Sequence, residues 1–145
     1  ELLRYRRELG SDVKILADVL VKHARPLSAP NLTVAVQDTI ERGLADAVIL
    51  SGWATGSPPT LEDLELAKAA AGDTPVFIGS GASWENISTL LQAADGVIAC
   101  SSLKRHGRRD QPIDPIRVSR FVEATQRSIE TAQLAPATES VSLPA

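Results

Sequence analysis

Four short apolar runs, each bounded by polar residues or glycine and separated by amphipathic stretches, constrain this chain more than any other feature. They are VKILADVLV (Val13 to Val21), the AVIL of DAVILSG (Ala47 to Leu50), the VFI of PVFIGSG (Val76 to Ile78) and the VIA of GVIACSS (Val97 to Ala99). Such runs read as buried parallel strands, because a strand with one wet face would alternate polar and apolar residues. Each strand and the helical segment after it takes roughly 20 to 30 residues, the scale of parallel strands joined by helical crossovers.

The helical segments have recognisable ends. Thr60 and Asp63 resemble a capping box ahead of Leu64 and Ala67, and Gly72 follows where a left-handed C-cap is favoured. Asn31 opens a helix that ends at Gly43. Asp114 and Pro115 read as N-cap and first residue of a helix whose Ile116, Phe121, Val122 and Ile129 face a core. Leu2 to Leu9 adds a turn or two at the start. The expected order is therefore one helix and then four strand–helix units over residues 1–133, with 134–145 (LAPATESVSLPA) read as a disordered tail. Four such strands make either a small open sheet or half of an eight-stranded barrel. In both, ligands gather at the strands' carboxyl ends, which is where the polar motifs of this chain fall.

Composition excludes several classes. A hydrophobic fraction of 43% supports a packed core, built from aliphatic side chains because aromatics are only 3%. A formal net charge of −3 with interleaved signs argues against a nucleic-acid partner, and no apolar run approaches a membrane span. One cysteine, Cys100, and two histidines provide too few soft ligands for structural zinc; no metal or cofactor is expected, and a reducing cytoplasmic setting fits. The chain has no methionine and opens at Glu1 inside a helical pattern, which reads as a fragment.

The stretches DVKILADVLVKHA, ADAVILSGWATGSPP, PVFIGSGASWENI, ADGVIACSSLKRHG and PIDPIRVSRF, taken in order, resemble the carboxyl-terminal half of the BtpA/SgcQ family, named for a photosystem I biogenesis factor. The resemblance runs from about Asp12 to Phe121. It implies the carboxyl-terminal half of a (β/α)8 TIM barrel, with these strands as the fifth to eighth. The functional expectation is a phosphate-binding barrel protein, an enzyme on a phosphorylated small molecule, with the alternative, implied by the resemblance, of a non-catalytic photosystem I biogenesis factor with peripheral thylakoid association. The missing half-barrel or a second copy would complete the fold. One departure is Cys100, where the resemblance leads to an expected glycine.

Candidate residues lie at the strand exits. Asp18 and Lys22, on alternating positions of a regular strand, form a carboxylate–ammonium pair suited to proton transfer, or else a structural ion pair of Asp18 with Lys14 or Lys22. His23 points the other way and reads as a loop histidine. In SGWATGSPP, Gly52 and Thr55 are ligand contacts on the strength of the resemblance, with Trp53 as a lid or a packing residue. Gly79, Ser80 and Gly81 leave backbone N–H groups open, and a helix beginning near Ser83 would aim its positive end at the same place, which suits a phosphate. Ser101, Ser102 and Lys104 add hydroxyls and a counter-charge. The plain alternative is a strand-to-helix turn with no ligand. Lys104, Arg105, Arg108 and Arg109 read by default as a solvated loop balanced by Asp110 and Asp114, and Cys100 as a small packed residue.

Overall fold

The computed structural model describes residues 1–21, 24, 31–52 and 56–134. Helix α1 (Leu2–Glu8) precedes four strand–helix units: β1 (Leu16–Val19) and α2 (Leu32–Glu41), β2 (Ala47–Leu50) and α3 (Leu61–Ala71), β3 (Val76–Ile78) and α4 (Ile87–Leu90), β4 (Gly96–Val97) and α5 (Pro115–Leu134). Between β4 and α5 lie two 3₁₀ turns, Ser101–Leu103 and Arg105–Gly107. The strands form one parallel sheet in chain order, β1-β2-β3-β4. Of the expected tail, 134–145, Leu134 is instead the last residue of α5, and the rest lies outside the described residues.

The strand order decides between barrel and open sheet. Parallel crossovers are right-handed almost without exception, so successive strands added in one direction put every helix on the same face. A doubly wound sheet reverses direction to cover both faces; this one does not. Packing agrees: Val19, Val48, Leu50, Val76 and Ile78 share one buried cluster with Val36 of α2, Leu64, Ala67 and Ala71 of α3, Ile87 and Leu90 of α4, and Phe121 and Ala124 of α5. By strand alternation, the opposite face carries the register row Asp18, Ile49, Phe77, Gly96. Its side chains fit closely, since a β-carbon on Gly96 would lie 2.5 Å from the Phe77 ring. This is half of a (β/α)8 barrel, with helices outside and a second, inner face.

Local chemistry explains the element ends. The Asn31 and Thr60 side chains accept the Val34 and Asp63 N–H groups at 3.1 and 3.0 Å, as N-caps should. Asp114 Oδ1 accepts the Ile116 N–H at 3.0 Å. At the amino ends of the strands, two similar stretches, ADAVI and ADGVI, place equivalent staples. Asp46 accepts the Ile15 N–H at 2.9 Å and pairs with Arg6 and Lys14, while Asp95 accepts the Val76 N–H at 2.7 Å and pairs with Lys68 at 2.6 Å. The Ile15 N–H, with Lys14 and Arg6, holds the Asp46 carboxyl below its ordinary range. Burial on its own pushes the Asp95 carboxyl up, but Lys68 and the Val76 N–H outweigh it and hold that group down as well. Both staples sit at the end of the sheet opposite the polar loops, where barrel residues serve stability.

Four expectations change. The last strand is Gly96–Val97 and not Val97 to Ala99, since β3 ends at Ile78 and pairs only with Gly96 and Val97. The first strand is shorter than the apolar run: it ends at Val19 because Leu20 takes φ +52°, which turns the chain out of the extended conformation. Of the four apolar residues expected to face a core from α5, only Phe121 is buried; Ile116, Val122 and Ile129 are exposed. Cys100 is exposed and does not pack inside.

Candidate functional site

The site is built from the carboxyl ends of β2, β3 and β4 and the loops that leave them. Ladder bonds carry the strands' order into these loops: Gly79 N–H donates to Leu50 O at 2.8 Å and Ile98 N–H to Ile78 O at 2.8 Å. The chain leaving β2 folds back at Ser57 and Pro58 and lies against two glycines. A β-carbon on Gly52 would come within 2.5 Å of Pro58 O, and one on Gly81 within 2.6 Å of Pro58 Cα. Ser80 Oγ donates to Ser57 O at 3.2 Å, fastening the same contact. Gly79 has a different neighbourhood, since its β-carbon would meet Ser51 Oγ and Ile49 Cγ2 at 2.5 and 2.6 Å. All three glycines therefore have a packing reason to be glycine. Gly81, at φ +80°, has a conformational one as well.

Asn86 organises the turn after β3, and sequence reasoning missed it. Its Oδ1 accepts the Ser83 N–H at 2.8 Å and its Nδ2 donates to Gly81 O at 2.9 Å. The S-x-x-N spacing was a visible signal for such a turn. The helix expected near Ser83 begins instead at Ile87 and lasts four residues, too short for a helix terminus to supply the anion-binding field. Gly81 N–H makes no hydrogen bond among the described residues.

After β4 the backbone enters the Ser101–Leu103 turn, whose internal bonds begin with Leu103 N–H to Cys100 O and Lys104 N–H to Ser101 O, both at 3.0 Å. The N–H groups of Ser101 and Ser102 thus open the turn without a hydrogen bond among the described residues, as first residues of helical turns do. Ser102 Oγ is buried and has no hydrogen-bond partner among the described residues. Lys104 is committed to its own loop, its Nζ donating to Arg109 O at 2.7 Å. Arg108 pairs with Asp110 at 2.8 Å, and Arg105, Arg108 and Arg109 are exposed, so the basic cluster is a solvated loop.

Two further residues join the loops. Arg117 in the first turn of α5 donates from Nε to Ser102 O at 2.7 Å, and its guanidinium carbon lies 4.3 Å from the centre of the Trp84 ring. Neither contact was legible in sequence, because both depend on how the last helix returns to the sheet.

Asp18 is exposed on the inner face of β1, in register with Ile49, and its Oδ1 would lie 3.6 Å from a β-carbon on Gly79. It forms no ion pair with Lys14, which binds Asp46 instead. Lys22, His23, Trp53 and Thr55 lie outside the described residues. Among the described residues no cluster of His, Cys, Asp and Glu is arranged to hold a metal, and no helix is long and apolar enough to cross a membrane.

The sequence model of the BtpA family matches residues 1–127. Over 131 residues, 90% of this chain and 46% of the relative, the chain is 72% identical to the photosystem I biogenesis protein BtpA of Synechocystis sp.. An uncharacterised protein of Thermococcus kodakarensis is 43% identical over 85% of this chain and 46% of its own length, and the putative sgc region protein SgcQ of Escherichia coli is 27% identical over 85% and 46%. Among solved structures, N-(5'-phosphoribosyl)anthranilate isomerase from Pyrococcus furiosus superposes with a TM-score of 0.54 at 19% identity, covering 86% of this chain and 55% of that one, a likeness of fold. The chain spans about half the length of the curated relatives it matches. Half-barrel architecture, the shared motifs in order and the match over nearly the whole described chain lead to one assignment: the chain belongs to the BtpA family.

Proposed function

We propose that the rim at the exits of β3 and β4 binds the phosphate group of a small molecule, through the N–H groups of Gly81, Ser101 and Ser102 and the hydroxyl of Ser102. The observation that carries this reading is Ser102 Oγ, buried and without a partner among the described residues. A buried polar group left unpaired costs about 1–3 kcal/mol, so one that persists calls for a partner, and a phosphate oxygen is a partner of the right kind. Open N–H groups on the neighbouring loop and turn supply the remaining donors, and the Arg117 guanidinium, 2.7 Å from Ser102 O, sets a positive charge beside them. Asp18, on the inner face next to the Gly79 position, is the group we assign to proton transfer on such a ligand; it is exposed and pairs with no described residue.

The test is Ser102→Ala. In phosphate-free buffer the variant should be as stable as the parent or slightly more so, because an unsatisfied hydroxyl has been removed. Calorimetric titration with inorganic phosphate should show binding weakened by about tenfold, the worth of one hydrogen bond to a charged group. Equal phosphate affinity in parent and variant refutes the reading.

A second reading, a role in photosystem I assembly, is favoured by the 72% identity to the Synechocystis protein named for that process. Exchanging this segment for the matching one in that cyanobacterium, with and without Ser102→Ala, and measuring photosystem I accumulation separates the two. If accumulation survives the serine change while phosphate affinity falls, assembly does not depend on the rim.

A further inference from the structure

We infer that Arg117 is a positioning residue that fastens the turn after β4 to the loop after β3, using Trp84 as the second anchor; its bearing on ligand affinity rests on the phosphate reading above. The donors proposed for the anion belong to two separate loops. Gly81 leaves β3, and Ser101 and Ser102 leave β4 through a strand of only two residues. A pair of loops hung from short strands holds a common geometry only if something ties them together.

Arg117 touches both loops with one planar group. Its Nε–H donates to the carbonyl of Ser102, the residue whose buried hydroxyl defines the rim, at 2.7 Å. The face of the same guanidinium lies over Trp84, 4.3 Å from the ring centre, and Trp84 directly follows Ser83, whose N–H is held by Asn86. Arg120, one turn further along α5, approaches the same ring at 5.8 Å and shares the cation–π contact without reaching the serine turn. The start of α5 is itself fixed to that turn, for Asp114 N–H donates to Leu103 O at 2.9 Å. Arginine suits this position because a planar cation can stack and donate sideways at once, whereas a lysine ammonium has no face to lay on the indole.

A clamp of this kind leaves the sheet alone and acts on the loops, by reducing the ordering that a ligand would otherwise have to impose. It therefore predicts a local signature. In a Trp53→Phe background, Trp84 is the single tryptophan of the chain and its emission reports the stack. Arg117→Gln should raise amide hydrogen exchange at Leu103 and Lys104 by about tenfold, leave exchange at Leu50 and Ile78 unchanged, and shift Trp84 emission. Arg117→Lys should raise exchange at the same two amides but move the emission less, since a cation remains near the ring. Inorganic phosphate, if the rim binds it, should bind Arg117→Gln several-fold more weakly than the parent. Should Arg117→Gln lose the fold, Trp84→Leu removes the other anchor and is read by the same exchange measurement.

Exchange at Leu103 and Lys104 equal to that of the parent in a folded variant overturns the clamp, whatever happens with phosphate. Raised exchange in the variants together with no phosphate binding by the parent leaves the clamp standing and refutes the phosphate reading. The two ideas thus fail on different measurements.

Discussion

Gly81 offers the sharpest test of how the loops are assembled, because two separate costs can be assigned to one added methyl group. At φ +80° an L-residue is in the left-handed region, a cost of roughly 1–2 kcal/mol. The new β-carbon of Gly81→Ala would also fall 2.6 Å from Pro58 Cα and closer still to Pro58 N and the Ser57 carbonyl carbon, all of them backbone atoms that cannot swing aside. Forcing a methyl group into filled space costs typically about 1–3 kcal/mol, so the variant should lose roughly 2–5 kcal/mol in all. Gly10→Ala is the control: its φ is +58°, and nothing lies within 4 Å of the added carbon. It carries the conformational cost alone, and the difference between the two variants, roughly 1–3 kcal/mol, is the collision. Urea denaturation followed by far-ultraviolet circular dichroism measures both on the same scale, with unchanged m-values as the check that only the folded state is affected. If the two variants lose equal stability to within about 0.5 kcal/mol, the Ser57–Pro58 segment does not rest on Gly81, and the packing account of this glycine is wrong.

Other outcomes follow from the same geometry. Asp95→Asn should cost about 1 kcal/mol, discounted because the carboxyl is 38% exposed, and should flatten the acid limb of the stability profile. A folded-state pKa held below the ordinary 3.8 means that the parent's advantage is complete above that value and disappears as pH falls through the lower, folded one, so the two curves should converge below about pH 4. Asp18→Asn should change stability by less than about 0.5 kcal/mol, since Asp18 pairs with no described residue; a larger loss in a thermal melt would return it to a structural role. The outer edges of β1 and β4 have no neighbouring strand among the described residues, and Leu16 and Ile98 are 43% and 45% exposed, so the 145-residue chain alone should sediment as a dimer or larger. Leu16→Asp with Ile98→Asp should shift it towards monomer, and a parent that sediments as a monomer would contradict the open-edge argument.

Legibility in the sequence followed the range of the interaction. Ala47–Leu50 and Val76–Ile78 occupy the positions their apolar runs gave, and Asn31 and Thr60 cap their helices, because strand burial and capping are decided within a few residues. The run from Val13 overstated its strand because nothing in a leucine announces φ +52° at Leu20. Ile116, Val122 and Ile129 were expected to face a core and are exposed, since an apolar residue in a helical pattern marks a position that burial would suit and says nothing about what covers it. The paired staples Asp46 and Asp95 were visible as ADAVI and ADGVI, a repeat whose meaning depends on parallel strands placing each aspartate beside its neighbour's first N–H. Arg117 and Trp84 left no local trace, because their contact is made by tertiary structure alone.

The glycines of GSG first suggested a phosphate, and their surroundings now weaken that particular inference. Gly81 and Gly52 are needed where the Ser57–Pro58 segment crosses, and Gly79 where Ser51 and Ile49 crowd the inner face, so an anion is not required to explain any of them. What still asks for a ligand is a different atom, the buried and unpaired Ser102 Oγ, with the open N–H groups of Gly81, Ser101 and Ser102 around the same rim. The distinction changes the experiment. A bulky residue at Gly81 would damage the loop and weaken any ligand that depends on it, so lost binding there cannot tell a phosphate cradle from a tight turn. Removing one hydroxyl from Ser102 touches no backbone and relieves an unpaired group, so lost affinity without lost stability is an outcome that only a ligand at that hydroxyl produces.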